Sequence, residues 1–203
     1  MSAGAPVARA AAKAATTTDW PAGPGDHPSP PVGVPPVGAI APLFTLSDEH
    51  GTPFDLAAEL TRGPVFVVFY PFAFSGTCTG ELTGLLDLDE QMQALGVRVV
   101  AVSCDQLFAL RAFSDSSQLS FPLLSDFWPH GAVASAYGVF DTERGCSVRG
   151  SFLVAPDGVI AWSVVNPRSR ARDILAHLEA AAALATSLLS ASGAAAGTLS
   201  PGV

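Results

Sequence analysis

Val65-Phe-Val-Val-Phe-Tyr70-Pro71-Phe-Ala-Phe-Ser75-Gly-Thr-Cys78-Thr-Gly-Glu81-Leu-Thr-Gly-Leu-Leu86 is the stretch from which the fold can be read. Val65 to Tyr70 is a run of β-branched and aromatic residues with no polar alternation, which describes a strand buried on both faces. Pro71 fixes a bend and lacks an N–H, so it ends the strand. Downstream, Leu82, Leu85, Leu86 and Met92 share one face of an amphipathic segment predicted over Glu81 to Leu95. A second buried run, Val97 to Ser103, completes a β-α-β unit with parallel strands. Cys78 therefore lies where a buried strand hands over to a helix.

Working outward, Phe44 to Ser47 and Pro53 to Leu56 flank Asp-Glu-His-Gly, a hairpin signal with Gly51 supplying the positive φ. Gln106 to Ser114 reads as a helix, Phe121 to Leu124 as a short strand, and His130 to Tyr137 as a helical turn ending at Gly138. Gly150 to Val154 and Val159 to Val165 read as antiparallel strands joined by Ala155-Pro-Asp-Gly158. The last helix, Arg170 to about Ala182, is expected to place Ile174, Leu175 and Leu178 inward. A β-α-β half followed by a β-β-α half predicts an α/β thioredoxin-like fold, a central mixed sheet flanked by helices. Residues 1–37 are dominated by Ala, Pro, Gly and Thr, and read as a disordered arm. Residues 38–185 form the expected domain, and 186–203 drift to Ala, Ser and Gly as a second tail.

Composition narrows the function classes. The 203 residues carry 10 Lys plus Arg against 18 Asp plus Glu, a net charge of -8, the wrong sign for a nucleic-acid surface. No stretch approaches the roughly 20 apolar residues that span a bilayer, so no membrane partner is expected. Cys78, Cys104 and Cys146 are too few and scattered for a disulfide framework or a four-ligand zinc site, which fits a reducing, cytoplasmic setting. His27, His50, His130 and His177 show no ligand spacing, and neither a metal nor another cofactor is expected.

The chemistry concentrates on Cys78. A helix start offers unpaired N–H groups and the positive end of the peptide dipole, both of which favour a thiolate. Gly76 lets the loop backbone come close to whatever the sulfur attacks. Ser75, three residues earlier, can bring a hydroxyl to the same spot.

These residues resemble the peroxiredoxin signature Pro-x-x-x-Thr/Ser-x-x-Cys, matched by Pro71, Ser75 and Cys78. Val37-Gly-Ala-Ile-Ala-Pro-Leu-Phe is similar to that family's opening Gly-x-x-Ala-Pro-x-Phe, with Leu43 in place of the usual Asp. Arg149, which opens Arg-Gly-Ser-Phe-Leu-Val, matches the family's active-site arginine. Phe-Ala-Phe-Ser-Gly-Thr-Cys-Thr-Gly-Glu-Leu and the segment 121–133 resemble the one-cysteine alkyl hydroperoxide reductase E group. The resemblance implies a thiol-dependent peroxidase acting on hydrogen peroxide, organic hydroperoxides or peroxynitrite through a cysteine sulfenic acid.

It further implies that Cys78 is the peroxidatic residue, with Arg149 stabilising its thiolate and Pro71 shielding it. Ser75 would hold the sulfur and peroxide in line, while N–H groups near Gly76 and Thr77 meet the charge growing on the leaving oxygen. Glu81 is expected on the first helical turn, paired with an arginine or capping. By analogy the reductant is a low-molecular-weight thiol or a thioredoxin- or glutaredoxin-like protein, and the chain is a homodimer.

Other residues leave the cycle open. Thr83 occupies the position where a bacterioferritin-comigratory type would carry its resolving thiol. Cys104 ends a strand and reads as core filler, whereas Cys146, in an expected loop from Asp141 to Ser147, is a candidate resolving residue. Phe72, Phe74, Phe127 and Trp128-Pro-His130 read as apolar walls, a packed rim or subunit contacts. A peroxide-sensing or thiol-disulfide relay protein of the same fold is the competing reading, although Cys78 is followed by Thr79, Gly80 and Glu81 rather than by a Cys-x-x-Cys partner.

Overall fold

The computed structural model describes residues 33–196, so the expectations for residues 1–32 and 197–203 lie outside the described residues. In chain order the elements are β1 (Thr45–Asp48), β2 (Pro53–Asp55), α1 (Leu56–Leu60), β3 (Val65–Phe69), α2 (Gly76–Leu86), α3 (Asp89–Ala94), β4 (Arg98–Ser103) and α4 (Leu107–Ser117). There follow β5 (Leu123–Ser125), α5 (Ala132–Ala136), β6 (Phe140–Asp141), β7 (Cys146–Ser147), β8 (Arg149–Val154), β9 (Ile160–Asn166) and α6 (Leu175–Ala196).

Seven strands form one mixed sheet in the order β2-β1-β5-β4-β3-β8-β9. β3 and β4 are parallel, as the β-α-β reading requires, and β8 runs antiparallel to both β3 and β9. The opening hairpin forms with Gly51 at φ 83°, and Asp48 Oδ1 accepts the His50 and Thr52 N–H groups inside its turn.

The alternation of β3 divides the core. Val65, Val67 and Phe69 pack with Leu56, Val100, Tyr137 and Phe152 on one face of the sheet. Phe66, Val68 and Tyr70 pack with Cys78, Leu82, Leu85, Met92 and Leu110 on the other. A strand buried on both faces must sit mid-sheet, and its chain end must emerge at the sheet's edge.

Several elements differ from the reading of the sequence. The segment Glu81 to Leu95 is two helices rather than one. The buried Asp89 starts the second by accepting from Gln93 and from the Ser120 hydroxyl across the fold. The helix α1 was not expected, because five residues are too few for a periodic signal. Asp141 to Ser147 is a small two-stranded ribbon, not a plain loop. The last helix begins at Leu175 and continues through Ala182 to Ala196, into the stretch read as tail. Starting later, it turns Leu175 outward, while Ile174 and Leu178 pack inward as expected.

Candidate active site

The β3–α2 loop is braced by the chain that follows β4. Asp105 Oδ2 accepts the Ala73 N–H and the Ser103 hydroxyl, each at 2.9 Å, and the Asp105 carbonyl accepts the Ser125 hydroxyl at 2.7 Å. Phe74 takes φ 62°, a left-handed conformation that costs a non-glycine residue on the order of 1–3 kcal/mol. Its ring, with centroid 5.1 Å from that of Phe113, anchors the turn against α4.

Ser75 is the N-cap of α2 but makes no capping bond with its side chain, and is half-buried. Gly76, Thr77 and Cys78 form the first turn, where backbone N–H groups have no intrahelical acceptor. Among the described residues no other protein acceptor takes their place. Cys78 is fully buried beneath this exposed turn, and Pro71, two residues past the end of β3, is buried as well.

Arg149 reaches the sulfur because β8 lies next to β3 in antiparallel register, with Ser151 opposite Val68. That register carries the start of β8 past the end of β3, to the edge where α2 begins. Arg149 Nη1 lies 3.5 Å from Cys78 Sγ and also donates to Glu81 Oε2, while its Nε donates to the Arg168 carbonyl at 2.8 Å. Glu81 stands three residues after Cys78 on the same helix face.

A second arginine closes the cluster. Arg172 donates its backbone N–H and Nε to Glu81 Oε1 at 2.6 and 3.1 Å, and Nη2 to Oε2 at 3.0 Å. Its Nη1 lies 2.9 Å from each of Phe69 O, Gly150 O and Ser151 Oγ. Burial alone would raise the Glu81 carboxyl, but the charge and hydrogen bonds of Arg172, joined by the charge of Arg149, hold it below the usual carboxylate range.

The charges decide what the sulfur can do. Two guanidiniums and one carboxylate, all with side chains no more than 3 % exposed, leave one positive charge uncompensated inside the protein. A thiolate on Cys78 supplies the missing negative charge, and a thiol does not. Cys104 and Cys146 lack this setting. Burial, with the charge of Asp126 adding to it, pushes the Cys104 thiol up to about 12. Burial also raises Cys146, which is fully enclosed in β7, and the nearby Arg168 only partly offsets that.

Of the residues singled out in the sequence, Cys78, Glu81 and Arg149 meet in direct contact, and Ser75, Gly76 and Thr77 form the helix start above the sulfur. Phe72, Phe74, Phe127 and Trp128 are exposed, and His130 ties the Phe127 and Gly145 carbonyls together at 3.2 and 2.7 Å rather than joining the cluster. Arg172 was missed. In the run Pro-Arg-Ser-Arg-Ala-Arg-Asp it looks like any solvated cation, and only its own complete burial between exposed neighbours distinguishes it.

Comparison with known proteins places this geometry. The family described as AhpC/TSA family matches residues 37–163. The chain is similar to alkyl hydroperoxide reductase E of Mycobacterium tuberculosis, 38% identical over 148 residues that cover 73% of this chain and 97% of that protein. Among solved structures it is similar to peroxidoxin BcpB from Mycobacterium tuberculosis, at TM-score 0.62 and 28% identity, covering 76% of this chain and 96% of that one. Enterococcus faecalis AhpC aligns at TM-score 0.66 and 25% identity, with 76% and 96% covered.

Proposed function

The chain belongs to the AhpC/TSA family and is a thiol-dependent peroxidase, and we propose that Cys78 is the residue that meets the peroxide. The observation that carries this reading is the buried surplus of positive charge around a sulfur 3.5 Å from Arg149. In the proposed step the thiolate attacks one oxygen of a hydroperoxide. An S–O bond forms, the O–O bond breaks, and the leaving oxygen takes a proton to depart as water or an alcohol. Sulfur is oxidised to sulfenic acid as the peroxide is reduced.

Each neighbour has a part in this displacement. Arg149 stabilises the thiolate and can follow the charge as it moves to the leaving oxygen. The uncapped N–H groups of Gly76, Thr77 and Cys78 meet that charge from the other side, and the free Ser75 hydroxyl aligns the peroxide. Pro71 keeps bulk water from the sulfur. Glu81 acts on the arginines, holding both in place rather than touching the substrate. Hydrogen peroxide and organic hydroperoxides are the substrates, with peroxynitrite as a further oxidant of the same chemistry.

The cycle closes with one cysteine. Cys104 and Cys146 are buried and their thiols are raised, so neither offers a ready thiolate to the sulfenic acid. The reductant is an external thiol, either a small molecule or a thioredoxin- or glutaredoxin-like protein. It forms a mixed disulfide with Cys78, releasing water, and a second thiol frees the cysteine. Residues 38–185 make up the catalytic unit, working as a homodimer in the cytoplasm.

The test is one equivalent of hydrogen peroxide added to reduced protein, followed by mass spectrometry. A single added oxygen on Cys78, with Cys78→Ser abolishing fast consumption, is the expected result. A disulfide between Cys78 and Cys146, or loss of small-thiol turnover in Cys146→Ser, would replace the one-cysteine cycle with a two-cysteine one.

A further inference from the structure

Arg172 is oriented by more than its carboxylate. One of the three oxygens around its Nη1 is the Ser151 hydroxyl at 2.9 Å, and the same hydroxyl lies 2.8 Å from His177 Nε2. His177 Nδ1 lies 3.0 Å from the Asp173 carbonyl. Ser151 and His177 are both fully buried.

We infer that His177 is a positioning residue for the Cys78 charge cluster, acting through Ser151 to fix Arg172 and hence Glu81 and Arg149. The inference rests on the peroxidase reading and deepens it. A carbonyl only accepts, so the hydrogen of the neutral imidazole sits on Nδ1 and points to Asp173. Nε2 is then a bare acceptor, and the Ser151 hydroxyl must donate to it. With its one hydrogen spent there, Ser151 presents only lone pairs to the guanidinium.

Direction matters at Arg172. Nη1 shares its two hydrogens among three oxygens at 2.9 Å, two of them carbonyls that can only accept and the third the Ser151 hydroxyl, whose direction His177 sets. A Ser151 hydroxyl free to turn would aim its hydrogen at the cation in part of the population. Burial, with the charge of Arg172 adding to it, lowers the His177 imidazole to about 4, which keeps it in the accepting form at neutral pH.

His177 also packs between Phe66 and Trp162, with ring centroids at 5.3 and 5.1 Å. A packing role alone predicts that phenylalanine substitutes well, since it fills the same space. A positioning role predicts the opposite, because phenylalanine has no lone pair for Ser151. Glutamine can return an acceptor oxygen to that point.

The experiment measures the single-turnover oxidation of Cys78 by hydrogen peroxide across pH in the full chain. His177→Phe and Ser151→Ala are each expected to slow it about fivefold to tenfold and to displace the pH–rate profile to higher pH. The double variant is expected to be no slower than either single one, since both break one chain, and His177→Gln to recover most of the rate. A His177→Phe protein with wild-type rate and profile, additive losses in the double variant, or a His177→Gln as slow as His177→Phe would each overturn the inference.

Nitrogen NMR of wild-type His177 serves if His177→Phe fails to fold. Protonated Nδ1 with bare Nε2 is expected, and a proton on Nε2 overturns the chain. Peroxide consumption surviving Cys78→Ser would instead sink the peroxidase reading, while the NMR result would stand independently of it.

Discussion

The protein holds two clusters of the same make-up, one glutamate between two arginines, at opposite ends of β3 and β4. Past the ends of these strands, Glu81 lies between Arg149 and Arg172, with side chains 3 %, 3 % and 0 % exposed. Beside their beginnings, Glu59 pairs with Arg62 and Arg98, whose side chains are 70 % and 50 % exposed. Solvent separates them. Water and salt neutralise the spare cation of the Glu59 cluster at no structural cost. Among the described residues, the spare cation of the Glu81 cluster lies against the Cys78 sulfur, 3.5 Å from Arg149. Identical ion-pair chemistry thus yields a surface tie in one place and, in the other, a buried guanidinium held 3.5 Å from a cysteine sulfur.

The strongest way to break the comparison is Glu81→Gln, which keeps the shape of the side chain and removes its charge. Two buried guanidiniums then lack a counter-ion, and a loss of about 3–5 kcal/mol in urea unfolding is expected. A loss under 1 kcal/mol would mean that water reaches the cluster and that burial does not separate the two sites.

Arg149→Met tests the catalytic half of the argument. It leaves Glu81 paired with Arg172 and takes the cation away from the sulfur. The second-order rate with hydrogen peroxide at neutral pH is expected to fall by roughly 10²–10³-fold, the scale of removing one charge-stabilising donor. An unchanged rate would show that the helix start alone ionises and positions Cys78.

Acid sharpens the contrast by titrating the buried end. The unfolded chain binds a proton at His177 near pH 6.5, but the folded protein does so only near 4. Between those values the unfolded state holds more protons, so stability falls as pH falls, by on the order of 3 kcal/mol across the window. Glu81, held below its usual range, adds a further loss as acid protonates it. Urea midpoints from pH 7 to 4 are expected to show this slope, and His177→Phe is expected to flatten the upper part of it.

The legibility of the two ends differs for physical reasons. Strand, loop and helix start around Cys78 are contiguous in sequence, so the run Val65 to Tyr70, Pro71 and the apolar spacing after it place the thiol directly. Arg149 could be singled out only by resemblance, because nothing local shows that β8 will pair with β3 and carry it to the sulfur. Arg172, Ser151 and His177 are invisible by the same logic. Arg172 lies in a run of alternating arginines, Ser151 on a strand whose facing is set by register, and His177 on a helix whose start was misplaced. Because the helix begins at Leu175 rather than Arg170, Leu175 is left at its exposed first position, whereas Leu178 one turn on faces inward as expected. Buried charge is a property of convergence, and each of these side chains acquires its meaning from elements far away in the chain.

The smallest effect is expected from Glu59→Gln. Glu59 holds Arg62 at 2.8 Å and also pairs with Arg98, so by contact alone it looks as well tied as Glu81. Its partners are largely in solvent, however, and an exposed pair is worth at most about 1 kcal/mol before salt is added. The loss in urea unfolding is therefore expected to stay at or below that figure and to shrink further in 1 M salt, where charges beyond about 3 Å are screened. Peroxide consumption is expected to be unchanged, since the sulfur lies at the other end of the strands. A loss at Glu59 equal to that at Glu81 would mean that the number of ion pairs, rather than their access to water, governs both clusters, and the case for a thiolate at Cys78 would lose its electrostatic basis.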